Sequence, residues 1–415
     1  MRVLFIGAPV SAQYHPDWTL EDRFAAYGRN TGNLLIGQSL REELKISRCE
    51  FHRDAPPAGA DDEFDVIVVA AANFIFRGFD LSRYANFIEA TNLPCVVAGL
   101  GAQAPNREAT FGDIPEGSKR FLKVIAERSK VIGVRGNFTA EVMNDFGITN
   151  VRPIGCPSMF RSRKRGLRIR RPEAGTTLRI SLNGSRDTVV HMRSPDDARR
   201  VEASLIRLSI AEGHSYVLQS ETPEIEILTA RATTSQQRQV IKLVCDDLGA
   251  TDLAHILDRH VLSNGRLFFD LDEWDSHIRS VDLSIGSRFH GNLIALTNGT
   301  PAILLNHDSR TTEMAELMGI PHVFTEDVKA IDPRRLLEQA DFDGFEKRYR
   351  TLYDRFADFL TENRLPHHLH DAIAVEEPDR VLEPVGRIVP DEPKSWRSCV
   401  RAALEKLALR SGKHP

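Results

Sequence analysis

The chain has little cysteine, and no pattern links what it has. Its five cysteines, Cys49, Cys95, Cys156, Cys245 and Cys399, are scattered through 415 residues, odd in number, and never form a Cys-x-x-Cys pair. That spacing argues against a thiolate zinc site, a thioredoxin-like redox pair and a disulfide framework, and leaves reduced, buried thiols. Long apolar runs are also missing. Nothing approaches the ~18 consecutive apolar residues that a membrane span needs. The N-terminal Met-Arg-Val-Leu-Phe-Ile-Gly-Ala-Pro has one basic residue and an apolar run too short for a secretory leader. There is no excess of positive charge: 54 Lys+Arg stand against 58 Asp+Glu, a formal net charge of −4. Whole-chain attraction to nucleic acid is thereby excluded, since it rests on neutralising phosphates with a basic surface. No carboxylate cluster or histidine pair demands a metal, so none is expected. These absences predict a soluble, cytoplasmic protein.

What is present is an ordinary globular balance, 41% hydrophobic and 27% charged residues. At ~150 residues per domain the length suggests about two or three domains. Short, nearly all-apolar runs at Val3–Ile6, Asp65–Ala71, Pro94–Gly99, Val131–Val134 and Val151–Ile154 predict buried strands. Between them, helical patterns run from Asn30 to Leu44, Lys119 to Arg128 and Asn137 to Phe146. Alternating strands and helices of this kind predict a parallel sheet covered on both faces.

The pattern breaks at Arg161–Arg171, which has seven basic residues in eleven and no acid. We read it as an exposed linker or hairpin; its functional alternative is attraction to an anionic membrane or a pyrophosphate-bearing acceptor. A second alternating series follows. Strands are expected at Leu178–Leu182, Tyr216–Gln219, Leu267–Asp270, Val281–Ile285 and Ala302–Leu305. Helices are expected at Pro195–Ala211, Glu224–Leu248, Leu271–Arg279, Phe289–Thr297, Thr311–Met318 and Ile331–Leu360, with a late one at Ser395–Leu409. The fold class predicted is α/β. Its domains are an N-terminal Rossmann-like domain (1–160), a basic linker (161–176), a C-terminal Rossmann-like domain (177–328) and a helical section with a tail (329–415) that crosses back towards the first domain.

Five stretches carry candidate chemistry. Asn30-Thr31-Gly32-Asn33 is a polar turn at a helix start, suited to an anion or simply to capping. Gly99-Leu100-Gly101-Ala102-Gln103-Ala104 fits a dinucleotide fingerprint, but Pro105-Asn106 and a polar stretch intervene before any helix, so a tight turn facing the cleft is expected instead. Arg135 follows a buried strand, where α/β sheets bind ligands, and its planar fork suits carboxylate or phosphate. Ser287-Arg288-Phe289-His290-Gly291 brings a cation and a proton-transfer group to a helix N-terminus after another buried strand. Asn306-His307-Asp308-Ser309-Arg310-Thr311-Thr312-Glu313 can cap a helix and hold phosphate, or turn Asp308 and Glu313 to sugar hydroxyls.

In order and spacing these blocks resemble the polysaccharide pyruvyl transferase family. Ser129 to Gly136, Phe146 to Val151 and Ile154 to Ser158 look like its central block. Ser287-Arg288-Phe289-His290-Gly291, then Gly299-Thr-Pro301 and Met318-Gly319-Ile320, look like its C-terminal block, and Asn30-x-Gly32-Asn33 like its N-terminal turn. The resemblance implies a GT-B-like fold, two Rossmann-like domains with parallel sheets facing across a cleft. It implies transfer of pyruvate from phosphoenolpyruvate onto two hydroxyls of a saccharide, free or lipid-linked, forming a cyclic ketal in exopolysaccharide or cell-surface glycan biosynthesis, with no cofactor. His290 would be the catalytic histidine. Arg135 and Arg288 would bind the donor, with Ser287, Phe289, Gly32 and Asn33 beside them. Gln103, Asn30, Asp308 and Glu313 would face the acceptor. Asn33 and Cys156 stand where the family often has Asp, and Gln103 where some relatives have His. The competing readings are a GT-B glycosyltransferase using a nucleotide sugar and a non-catalytic polysaccharide-assembly protein. Any membrane contact would be peripheral, at the inner face.

Overall fold

Val3–Ile6, Val66–Ala70 and Cys95–Ala102 are buried at every residue. A strand apolar on both faces must be covered on both sides, and these three make the middle of a parallel sheet. The computed structural model describes residues 1–8, 19–104, 108, 110–173, 175–186 and 192–371. Its first sheet contains β1 (Arg2–Gly7), β2 (Arg48–Phe51), β3 (Val66–Ala70), β4 (Asn73–Ile75), β5 (Cys95–Ala102), β6 (Ile132–Val134) and β7 (Val151–Pro153). Their order is β2-β1-β3-β5-β6-β7, with β4 beside β5 and every pairing parallel. The helices of this half are α1 (Leu20–Ala26), α2 (Asn33–Glu43), α3 (Ala60–Glu63), α4 (Ser82–Glu89), α5 (Glu116–Arg128) and α6 (Asn137–Asp145).

The second sheet contains β8 (Ile180–Asn183), β9 (Ser215–Val217), β10 (Gly265–Arg266), β11 (Leu283–Gly286), β12 (Ala302–Asn306) and β13 (His322–Phe324). It is again wholly parallel, in the order β10-β9-β8-β11-β12-β13. Its helices are α7 (Pro195–Glu212), α8 (Thr222–Ala230), α9 (Ser235–Asp247), α10 (Leu257–Asn264), α11 (Leu271–Arg279), α12 (Phe289–Thr297) and α13 (Ser309–Met318), followed by α14 (Pro333–Gln339) and α15 (Phe342–Glu362). Local chemistry sets the ends of α7: Ser194 caps it by accepting the Asp197 N–H, Pro195 opens it, and Gly213 closes it at φ 68°. Strand order reverses between β1 and β3 in one sheet and between β8 and β11 in the other. A crevice for ligands opens at such points, outside the C-terminal ends of the strands. The loops leaving those ends in the two halves face each other, so the architecture is GT-B-like, two Rossmann-like domains across a cleft. Among the described residues no helix is long and apolar enough to cross a membrane.

One apolar cluster fills the outer side of the first sheet under α4, α5 and α6; the other runs unbroken from its inner side through α2 into the second domain and α15. Although α15 follows the second sheet in sequence, it lies against the first. Phe356 stacks on Phe160 with ring centres 4.8 Å apart, Asn363 accepts the Val131 N–H at 3.2 Å, and Arg152 pairs with Glu362 at 2.6 Å. Beyond it, His367 bridges Leu44 in antiparallel fashion and the His368 N–H reaches the Glu43 carbonyl at 2.7 Å.

Several predicted elements change. The Glu224–Leu248 helix is two helices, because Arg231 turns left-handed at φ 53° and Thr234 with Gln237 forms a capping box that starts α9. The Ile331–Leu360 helix breaks likewise, where Asp341 caps α15. Strand β10 ends at Arg266; the apolar Leu267–Phe269 run is loop, and Asp270 caps α11. Strand β5 continues through Gly99 and Gly101, so no tight turn forms there. The basic stretch is largely exposed, and four of its seven cations are paired with acids. Arg161 pairs with Glu42 at 2.9 Å and with Asp275, Arg165 with Asp354 at 2.7 Å, Arg168 with Glu346 at 2.6 Å and Arg171 with Asp343 at 2.8 Å. The helix predicted at 395–409 lies outside the described residues, as does Cys399.

Candidate active site

Arg135 leaves the end of β6 and turns under β5. Its N–H donates to the Leu100 carbonyl at 2.8 Å, Nε to the Gly99 carbonyl at 2.9 Å and Nη1 to Asn73 Oδ1 at 2.7 Å. Gly101 makes room for it: a Cβ there would sit 2.9 Å from Arg135 Cδ. Arg135 is 1% exposed, and its Nη2 has no hydrogen-bond partner. A buried, unsatisfied cationic donor is costly to keep without a ligand to answer it.

His290 comes from the other half. The Ser287 N–H donates to the Asn183 carbonyl at 3.1 Å and the Arg288 N–H to Asn183 Oδ1 at 3.0 Å, which fixes the turn from β11 into α12. His290, in the first turn of α12, is part-buried; its ring stands edge-on to Phe289, and its Nε2 lies 3.6 Å from Cys156 Sγ. Cys156 belongs to the first domain, is fully buried, and lies 2.9 Å from Ser158 Oγ. Burial, then the nearby charges of Arg135 and Arg310, hold the His290 imidazole well below its ordinary pKa, so it is neutral at pH 7.

Arg310 was not singled out from the sequence, where its stretch drew notice for hydroxyls and acids. It stands in the first turn of α13 with Nη2 3.3 Å from Asp308 Oδ2 and Nε unpartnered. The cleft thus gathers two guanidinium groups, an imidazole and a thiol from both domains.

Arg288, expected beside Arg135 at the donor, is buried in the second domain. Its Nε donates to the Gly184 carbonyl at 2.6 Å, and its Nη2 to Ser220 Oγ and Glu221 Oε1. Arg288 and Glu221 are both buried, so this fork is engaged inside the second domain, within a network that also joins Arg186 to Glu224 at 2.5 Å. The two acids expected at the acceptor are likewise committed. Asp308 Oδ1 caps α13 through the Thr311 N–H at 2.7 Å. Glu313 crosses to the other domain and takes the Thr139 N–H at the start of α6. Asn30 accepts the Gly32 N–H at 2.9 Å and Asn33 donates to the Tyr27 carbonyl at 2.9 Å, so both side chains shape the turn before α2. Gly32 packs beside His290, and Gln103 is buried next to Ala104, whose carbonyl accepts the Ser309 hydroxyl at 2.7 Å across the boundary. Ser287 and Phe289 are buried around the α12 turn. Among the described residues no cluster of three or more His, Cys, Asp or Glu side chains is placed to hold a metal ion.

Comparison with solved structures finds distant likenesses. The UDP-N-acetylglucosamine 2-epimerase of Rickettsia bellii is 10% identical, with 87% of this chain and 96% of that one covered and a TM-score of 0.41. Anabaena HepE, solved in complex with UDP and glucose, is 10% identical over 88% and 97%, with a TM-score of 0.41. The Neisseria meningitidis UDP-GlcNAc 2-epimerase, bound to UDP-GlcNAc, is 9% identical over 89% and 96%, with a TM-score of 0.36. No curated protein matches the sequence. The family model for polysaccharide pyruvyl transferase matches residues 18–309, a span that takes in Arg135, Cys156 and His290, and the chain belongs to that family.

Proposed function

We propose that the protein moves pyruvate from phosphoenolpyruvate onto two hydroxyls of a saccharide, forming a cyclic ketal and releasing phosphate, in the building of an exopolysaccharide or cell-surface glycan. The observation that carries this reading is the buried Arg135 fork with Nη2 unanswered, beside a histidine and a second arginine from the opposite domain. Two cations suit a small donor bearing a carboxylate and a phosphate.

The chemistry needs a proton delivered to the terminal carbon of the enol phosphate and cations to hold its anionic groups. Protonation leaves positive charge at the phosphate-bearing carbon. One sugar hydroxyl adds there, its proton passing to the base. The carbon–oxygen bond to phosphate then breaks, and the second hydroxyl closes the ring and gives up its proton. Neutral His290 takes the proton of the first hydroxyl as it adds and passes it, as imidazolium, to the terminal carbon of the same enol, while the second hydroxyl's proton goes to the released phosphate; general acid–base help of this kind is worth ~10²–10⁴-fold. Arg135 and Arg310 hold the donor's carboxylate and phosphate. Arg288 supports the α12 turn that carries His290.

The test is phosphate release from phosphoenolpyruvate against a panel of free and lipid-linked saccharides. His290→Ala is expected to abolish release with the fold intact. Full activity in that variant, or stabilisation by nucleotide sugars and not by phosphoenolpyruvate, overturns the reading.

A further inference from the structure

Gln219 follows β9 in the second domain, is 1% exposed, and is wedged between one glycine of each domain. Its carbonyl accepts the Thr31 N–H at 3.1 Å, a hydrogen bond across the boundary. A Cβ on Gly32 would fall 2.4 Å from Gln219 Oε1 and 3.2 Å from His290 Cβ; one on Gly291 would fall 2.8 Å from Gln219 Nε2. Neither glycine has positive φ, so conformational freedom does not explain either. What the two share is that the Gln219 amide fills the space their side chains would take. The backbone of Gln219 is held from behind, while the side-chain Nε2 has no hydrogen-bond partner. Glu221, the partner of Arg288, accepts the Gln219 N–H at 2.8 Å. One line of contacts therefore runs from Arg288 through Glu221 to Gln219, and from Gln219 to the two turns that meet at His290.

We infer that Gln219 is a positioning residue: it sets where the first turn of α12, and His290 with it, stands against the Asn30–Asn33 turn when the cleft is shut. This rests on the reading of His290 as the proton-transfer group.

A size-swap cycle tests it, with Gly32→Ala, Gln219→Ala and the double variant. Gly32→Ala forces the Gln219 amide and His290 apart, and kcat is expected to fall on the order of 10²-fold with little change in KM for phosphoenolpyruvate, the signature of a displaced catalytic group. Shortening Gln219 in the double variant restores much of that loss. Hydrogen exchange at the Thr31 amide reads closure without reference to turnover: faster in Gly32→Ala, slowed again in the double variant. Should Gly32→Ala fail to fold, Gln219→Ala alone decides, by a lowered kcat and faster Thr31 exchange. Wild-type kcat and exchange in the single variants, or a double variant no better than Gly32→Ala, overturns the inference. Absence of phosphoenolpyruvate turnover in the wild type would sink the proposed reaction alone, because the exchange cycle still reports on Gln219.

Discussion

Glu313 of the second domain accepts both the backbone N–H of Thr139, at 2.7 Å, and its hydroxyl, at 3.0 Å, and Thr139 lies in the first turn of α6 in the first domain. A buried carboxylate at a helix N-terminus meets free N–H groups and the positive end of the dipole, so the pair closes the cleft and caps a helix at once. Gly136 is part of the fit, since a Cβ there would lie 2.1 Å from Glu313 Cγ. Glu313→Ala should destabilise the fold by about 1–3 kcal/mol, the cost of leaving buried donors unmet. Chemical denaturation of both proteins checks this, and an unchanged midpoint would show that the tie contributes nothing.

Arg288 and Arg135 should behave differently when removed. Taking away Arg288 strands the fully buried Glu221 carboxylate, and breaking such a pair costs about 3–5 kcal/mol. Arg288→Met is therefore expected to lose stability first, and Arg288→Met with Glu221→Met to regain most of it. Arg135→Met leaves the Gly99 carbonyl and Asn73 Oδ1 unmet, a smaller cost of about 1–3 kcal/mol, and should weaken donor binding by tenfold or more, on the order of 1.4 kcal/mol. Thermal melts with and without phosphoenolpyruvate separate the two outcomes.

The pH profile follows from His290. Its pKa is held well below 6.5 by burial and by the charges of Arg135 and Arg310. The base must be deprotonated in the free enzyme, so kcat/KM should stay level from neutral pH down past 6.5 and fall only below it. Arg135→Gln removes one of the depressing charges, and the acid limb should move to higher pH. An acid limb already above 6.5 in the wild type would contradict the geometry.

Glu43 gives a second pH effect, on stability. Its carboxyl is fully buried, has no hydrogen-bond partner, and is pushed well above its ordinary value of 4.5 by burial, then by Glu42. The folded protein therefore keeps a proton there that the unfolded chain releases above about 4.5. Stability is lost as pH rises from that value towards the raised folded pKa. Glu43→Gln should match the wild type near pH 4 and exceed it at neutral pH and above, as urea midpoints across that range would report.

The strands were legible because their burial on both faces removes every polar residue from Val66–Ala70 or Ala302–Leu305. Short or half-exposed pieces were not: β2 begins with an exposed Arg48, and α4, an amphipathic helix outside the first sheet, gave no signal strong enough to read. Breaks inside long polar helices hinge on single residues such as Arg231, whose left-handed turn no pattern announces. At the site, His290 and Arg135 could be read because each follows a buried strand. What their neighbours do could not. Whether Arg288 or Arg310 faces the cleft depends on which carboxylate stands nearby, and Glu221 lies 67 residues from Arg288 in the sequence.

The placement of α15 bears on how the molecule is made. Phe359 presses on Gly133, and Asn363 supplies the acceptor for the Val131 amide, so one edge of the N-terminal half stays uncovered until the ribosome has delivered residues beyond 360. That half emerges first yet cannot finish packing alone, and during synthesis it must wait, partly assembled, for a strap encoded more than two hundred residues later.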